Sequence, residues 1–189
     1  ERSVANRDCS AKTEPKTGSY GNGSFWVGYT EDNLKSVILM YKQNGQYQGA
    51  NVNNCVNGTR KSCDIKLTNL QDGNLFYKFE ITDIANKKAT SKEAKITIDT
   101  TIPVITLDPS LLGEIKTYTG RLPLKLSVSE KVDLSYKDLN GNNKFARLCK
   151  NCNSYNRNIN FRTGIHTIII RAADKAGNID DESLTFNIF

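Results

Sequence analysis

Short runs of alternating apolar and polar residues follow one another along the whole chain, and no amphipathic helix of useful length appears. Strict alternation is typical of strands that bury one face. In the first half the apolar positions are Phe25, Val27 and Tyr29; Val37, Leu39 and Tyr41; Ile65 and Leu67; Tyr77, Phe79 and Ile81; and Ile96 and Ile98. In the second half they are Leu122, Leu124, Leu126 and Val128; Val132, Leu134 and Tyr136; Ile159 and Phe161; and Leu184, Phe186 and Ile188. Short strands bounded by Gly, Asn and Asp at this spacing predict an all-β sandwich fold.

The last 26 residues predict a terminal β-hairpin. Residues 165–172 are β-branched or small, and residues 184–188 alternate apolar with polar. Between them, residues 174–178 read Asp-Lys-Ala-Gly-Asn, which is turn chemistry because Asp and Asn bond their own backbone and Gly accepts positive φ.

The two halves of the chain match in order, which indicates an internal duplication of one β module. Tyr77, Phe79 and Ile81 align with Ile168, Ile170 and Ala172, and each half has a cysteine pair about twenty residues upstream of its turn aspartate, Asp83 or Asp174. The predicted organisation is residues 1–18 as a lead-in or edge strand, 19–100 as the first domain and 101–189 as the second.

The Asp-x-Ala-Gly-Asn turn at 174–178, together with Asp-Thr-Thr-Ile-Pro at 99–103, resembles the tandem immunoglobulin-like repeats of bacterial and archaeal surface proteins. In the first half Asn86 and Lys87 replace Gly-Asn, and that half is similar to a fibronectin type III ending. The resemblance implies two tandem immunoglobulin-like sandwiches joined with almost no linker. It also implies a non-catalytic segment of a microbial cell-surface or secreted protein, acting in adhesion or as a rigid spacer, with other surface proteins or glycans as partners.

Five cysteines in small β modules favour an oxidising compartment. Disulfides Cys55–Cys63 and Cys149–Cys152 are predicted, each worth about 2–3 kcal/mol by loop entropy. A zinc site would need all four thiolates together, whereas the repeat puts the pairs in separate modules. A redox Cys-x-x-Cys needs a helix N-terminus, and the second pair lies in a loop sequence. Cys9 is the fifth cysteine, and three alternatives stay open for it. It is free, it pairs with a cysteine outside this sequence, or it competes for Cys55 or Cys63.

No residue pattern predicts a metal, a cofactor or catalysis. Acidic and amide groups gather around the last turn at Asp174, Asn178, Asp180 and Asp181, and Asp99 and Asp108 flank the module junction. None follows the register of a calcium loop, so an Asx-stabilised turn is expected. The single histidine, His166, enters a strand, and no Gly-x-Ser-x-Gly accompanies it. The chain is therefore predicted not to be an enzyme.

Trp26 is the basis of the main alternative function. Sandwich modules pack a large aromatic residue between their sheets, so the core is its expected place. Trp26 is, however, out of phase with Phe25 and Val27, and an exposed Trp26 would be a ligand platform. The chain would then be a carbohydrate-binding module of a secreted polysaccharide-acting protein.

Asn22-Gly23-Ser24 and Asn57-Gly58-Thr59 fit the glycosylation acceptor pattern, which makes Asn22 and Asn57 candidate modification sites.

The net charge of +6 divides evenly between the halves and forms no basic tail. No helix-turn-helix, zinc-finger or RRM-type motif is present, which disfavours nucleic acid. The sequence contains no run of 18 apolar residues, so membrane insertion is not predicted. The cysteines and the resemblance imply an extracellular or cell-surface location. A membrane-fusion ectodomain would need a conspicuous apolar loop, for which only Leu111-Leu112 stands.

Overall fold

The computed structural model describes residues 12–43, 45–112 and 116–189. It divides between Thr100 and Thr101 into two compact units, and each is described by itself. Cys9 and most of the predicted lead-in lie outside the described residues.

The first domain is a sandwich of two sheets. Its strands are β1 (Lys12–Glu14), β2 (Tyr20–Gly21), β3 (Ser24–Glu31), β4 (Leu34–Lys42), β5 (Gln48–Asn51), β6 (Gly58–Lys66), β7 (Gly73–Asp83), β8 (Lys88–Thr90) and β9 (Ala94–Ile98). One sheet has the order β1-β3-β6, and the other has β2-β9-β7-β4-β5 with β8 on β7. All pairings are antiparallel except that of β2 with β9. Strand β1 lies at the edge of its sheet. It belongs to residues 1–18, for which the sequence predicts a lead-in or an edge strand.

Alternation within the strands builds the core of this domain. The inward positions are those that the sequence predicts on β3, β4, β7 and β9, joined by Val52 and Cys63. Phe25 and Tyr77 meet edge to face with ring centroids 4.9 Å apart. The Tyr77 hydroxyl donates to the carbonyl oxygen of Pro15 at 2.5 Å, which ties the chain before β2 to the sandwich.

The described residues of the second domain form six strands and one 3-10 turn. The strands are β10 (Ile105–Leu107), β11 (Lys116–Tyr118), β12 (Arg121–Asp138), β13 (Ala146–Asn160), β14 (Gly164–Ala173) and β15 (Ile179–Ile188), and the turn spans Pro109–Leu111. The sheet order is β10-β12-β14-β15-β11, with β13 paired to β12. The terminal hairpin of the sequence analysis is β14 and β15.

Strand β12 pairs with three other strands, which shapes this domain. Its residues 126–128 pair with β10 and its last six residues pair with β14, while β13 runs antiparallel along nearly all of it. The register shifts between Ser127 and Val132, so one strand replaces the two that the sequence predicts. Bulges of this kind let a strand turn from one sheet to the next while its inward face stays buried. The core side chains Leu122, Leu134, Ile168 and Phe186 are fully buried.

Candidate functional site

Trp26 lies on the outer face of the three-stranded sheet. Phe25 and Val27 are buried on the inner face, and the alternation of β3 turns Trp26 to the other side, where it is half-buried. The expectation that Trp26 fills the core is therefore wrong. A Cβ added to Gly28 would stand 2.7 Å from Cη2 of Trp26, so the indole covers Gly28 and needs a glycine there.

Charged and polar groups surround this indole. The strand register places Glu14, Trp26 and Asp64 in one row across β1, β3 and β6, so their side chains share the outer face. Asp64 exchanges two hydrogen bonds with Asn54, at 3.2 and 3.3 Å. A shallow depression of about 590 Å³ lies between the indole, Glu14 and the start of β1. An aromatic surface flanked by fixed polar groups is the arrangement a sugar ring would need.

The structure joins the cysteines in the two local pairs. Cys55 and Cys63 have their Cα atoms 5.0 Å apart, and Cys63 is buried in the core of the first domain. Cys149 and Cys152, with Cα atoms 6.2 Å apart, lie on β13 opposite Leu134 and Val132. The two pairs belong to different domains, so the four sulfur atoms do not form one tetrahedral site.

His166 is held by bonds to both of its ring nitrogens. Nδ1 lies 2.7 Å from Oδ2 of Asp138, and Nε2 lies 2.8 Å from the carbonyl oxygen of Arg162. The ring is 8% exposed and stacks on Phe186. Both ring nitrogens of His166 thus contact oxygen atoms of this domain, which places the ring between the two loops around it.

The acidic residues of the last turn bond protein groups. Asp174 accepts hydrogen bonds from the backbone N and from Nδ2 of Asn178, at 2.8 and 2.7 Å, which is an Asx-stabilised turn. Asp180 accepts from the backbone N of Ile105 at 2.8 Å. Asp181 takes both ends of the Arg171 guanidinium, at 2.8 and 2.6 Å, and this contact lowers the pKa of the Asp181 carboxyl.

Asp108 caps the 3-10 turn of the second domain. Its side chain accepts from the backbone N of Ser110 at 3.1 Å and contacts Nζ of Lys125 at 2.8 Å. The Lys125 bond, followed by the Ser110 bonds, lowers the pKa of Asp108 to about 2. Asp108 is thus a capping residue of this domain.

Both glycosylation candidates lie at strand starts. Asn57 is exposed, and its Oδ1 accepts from the backbone N of Leu34 at 2.6 Å. Asn22 is half-buried, and its Oδ1 accepts from the backbone N of Ser24 at 3.3 Å. Glycosylation of either residue stays a prediction, and Asn57 is the more accessible of the two.

One concave feature has no counterpart in the sequence-based expectations. A depression of about 750 Å³ opens at one end of the second domain between the β12–β13 and β13–β14 loops. Lys144 and Arg162 stand on these two loops. The only signal in the sequence is a basic residue close to each of two turns, which no motif connects.

Comparisons with known proteins define the fold. No known protein family and no curated protein matches the sequence. Among solved structures, fibronectin(III)-like modules of CbhA from Clostridium thermocellum match with a TM-score of 0.50 and 9% identity, over 94% of this chain and 93% of theirs.

Two further structures are similar at lower scores. The FN1–FN3 domains of chicken CNTN1 give a TM-score of 0.48 and 12% identity, over 91% of this chain and 66% of that one. The tetra-tandem repeat in the extending region of a large adhesion protein gives 0.35 and 18%, over 96% and 49%. The fold is that of tandem β-sandwich modules of the fibronectin III or immunoglobulin-like kind, as the resemblance implies.

The described residues contain no helix with the length and apolar character that crossing a bilayer requires.

Proposed function

We propose that the chain is a non-catalytic pair of extracellular β-sandwich modules in a cell-surface or secreted protein, acting in adhesion or as a rigid spacer. The observation that carries this proposal is the fold, which is that of fibronectin(III)-like modules over nearly the whole chain. The bonded cysteine pairs support an oxidising compartment. Histidine and cysteine are common catalytic residues, but His166 is hydrogen-bonded between two loops and four cysteines form disulfides, which supports a structural role for them.

Spacer function depends on the short segment between the domains. Strand β9 ends at Ile98 and β10 begins at Ile105, and Pro103 lies between them. Proline fixes φ and restricts the residue before it, which limits the freedom of so short a connection. This segment is therefore proposed to act as a stiff joint.

Small-angle X-ray scattering of the chain with and without four glycines inserted between Thr100 and Thr101 tests the spacer. A stiff joint predicts a narrow distribution of interatomic distances that broadens on insertion, because glycines restore conformational freedom. An equally broad distribution in both proteins would show that the joint is flexible already and would remove the spacer role.

Carbohydrate binding through Trp26 is the second candidate. It is favoured by the half-exposed indole lying over Gly28 next to Glu14 and Asp64. Such a ring can stack on the face of a sugar while the carboxylates accept hydrogen bonds from hydroxyls.

Intrinsic fluorescence tests this second candidate, since Trp26 is the only tryptophan. Binding of a neutral polysaccharide to the platform should shift the emission maximum and protect the indole from iodide. The Trp26→Ala variant should lose binding, whereas Ile84→Ala, which removes another exposed apolar side chain of the first domain, should keep it. A platform indifferent to every neutral glycan would leave the adhesion or spacer role alone.

A further inference from the structure

The depression at the end of the second domain has the size of a small-molecule site. Its volume is about 750 Å³, within the range of about 300–1,000 Å³ usual for ligand pockets. One wall is the loop of residues 139–145 between β12 and β13, and the other is the loop of residues 161–163 between β13 and β14. We call it the polar end site.

Hydrogen bonds hold both walls of the polar end site. The His166 ring bonds Asp138 with one nitrogen and the carbonyl oxygen of Arg162 with the other, so one side chain bridges the two loops. Asp138 also accepts from the backbone N of Asn140 at 3.0 Å, and Asn140 Oδ1 accepts from the backbone N of Thr167 at 2.8 Å. A site fixed in this way loses little conformational entropy when a ligand binds.

The charge of the polar end site is positive. Lys144 and Arg162 stand on opposite walls, both exposed, and neither forms a salt bridge within the part of the chain that the structure describes. The carboxylate among its described lining residues, Asp138, is bonded to His166. Two cations across a concavity favour an anion, and a guanidinium matches the two oxygens of a carboxylate.

The remaining lining groups favour hydroxyls and a ring. Asn142 and Asn160 line the site, and each amide offers both a donor and an acceptor, as sugar hydroxyls require. Tyr136 and Phe161 are half-buried in the wall, with ring centroids 6.0 Å apart. Cations, amides and aromatic edges around one concavity suit a ligand that is both acidic and rich in hydroxyls.

We propose that the polar end site binds an acidic sugar unit of a polysaccharide, a uronic acid, with its carboxylate between Arg162 and Lys144. Its hydroxyls bond the amides of Asn142 and Asn160. This inference goes beyond the proposed function, because a spacer needs no ligand and the Trp26 platform belongs to the other domain.

Isothermal titration calorimetry with a galacturonic acid hexamer tests the proposal, using the full chain. The matched probe is the same hexamer with its carboxylates methyl-esterified, and a glutamate hexamer offers carboxylates without hydroxyls. The test variant is Arg162→Gln with Lys144→Gln. The control is Lys131→Gln with Lys150→Gln, which removes the same charge from exposed positions of the same domain outside the site.

The acidic hexamer should bind the native protein and the control pair within twofold of each other, and the test variant about 10- to 100-fold more weakly, since each cation makes a charged hydrogen bond. The ester and the glutamate hexamer should bind at least tenfold more weakly than the acid. Trp26→Ala should leave the affinity unchanged, which separates this site from the platform.

Three results would each overturn the proposal. They are no binding of the acidic hexamer, equal weakening in the test and control variants, and equal affinity for the glutamate hexamer, which would mean a general carboxylate or peptide site. Far-UV circular dichroism of all variants verifies that the sandwich fold is retained.

Discussion

Replacing His166 with phenylalanine measures how firmly the loops of the second domain are held. The substitution keeps a ring that can pack on Phe186 and Phe161, whose centroids lie 5.6 and 5.0 Å from that of the histidine. It removes both ring nitrogens, and with them the bonds to Asp138 and Arg162.

The loss of stability in the His166→Phe variant depends on the contacts that Asp138 keeps. The Asp138 side chain is 13% exposed and loses its His166 partner, but its Oδ1 keeps the hydrogen bond from the backbone of Asn140. A hydrogen bond to a charged group is worth about 1.5–3 kcal/mol, and removing one partner of a fully buried pair costs about 3–5 kcal/mol. We expect the free energy of unfolding of the second domain to fall by about 2–3 kcal/mol.

A double-mutant cycle with Asp138→Ala isolates the contact. The coupling energy between the two substitutions should be about 1–3 kcal/mol, because the residues are in direct contact. Amide hydrogen exchange of β14 peptides reports the second domain, and β7 peptides serve as the internal control. A coupling energy below about 0.5 kcal/mol would refute the role of His166 as the bridge between the loops.

Three further predictions concern other parts of the chain. Gly28→Ala should push the Trp26 indole off the sheet, which red-shifts its emission and raises iodide quenching, while stability changes by no more than about 1 kcal/mol because alanine suits a strand better than glycine. An unchanged emission spectrum would contradict the contact between the Trp26 indole and Gly28. Tyr77→Phe should lower the free energy of unfolding of the first domain by about 1 kcal/mol, since only the hydrogen bond of the hydroxyl is lost. Urea unfolding followed by fluorescence measures this change. An unchanged free energy would argue against a stabilising hydrogen bond between Tyr77 and Pro15. The pKa of Asp108 is lowered to about 2 by Lys125, so its contribution to stability is complete above about pH 4 and is lost as the pH falls through 2. Asp108→Asn should therefore show a smaller fall in melting temperature between pH 4 and 2 than the native protein, and an equal fall would contradict the assignment.

The sequence predicts the sandwiches well because each core face follows from strict alternation. Phe25, Val27, Leu39 and Phe79 are buried as their phase requires. The same phase places Trp26 outside. A core tryptophan was expected from the general preference of sandwiches for a large aromatic residue between the sheets, but the alternation of β3 decides which face Trp26 occupies.

Other features depend on packing that no sequence period records. The even positions of residues 122–134, apart from the half-buried Glu130, stay buried through the register shift of β12, so the pattern is the same for one strand or for two. Lys144 and Arg162 converge only because β12 changes register between Ser127 and Val132 and its end pairs with the start of β14, where Asp138 lies opposite Ile168. Their seventeen intervening residues carry no motif that links them.

The chain folds as two sandwiches, each around its own core, and the Leu134→Ala variant tests whether the two cores unfold separately. Leu134 is fully buried in the core of the second domain, and its truncation should lower the free energy of unfolding of that domain by about 2–5 kcal/mol. Trp26 is a reporter of the first domain alone. Urea unfolding followed by far-UV circular dichroism should gain an early transition, while the midpoint of the Trp26 fluorescence transition should stay unchanged. A fluorescence midpoint that falls together with the circular dichroism signal would contradict two separate cores.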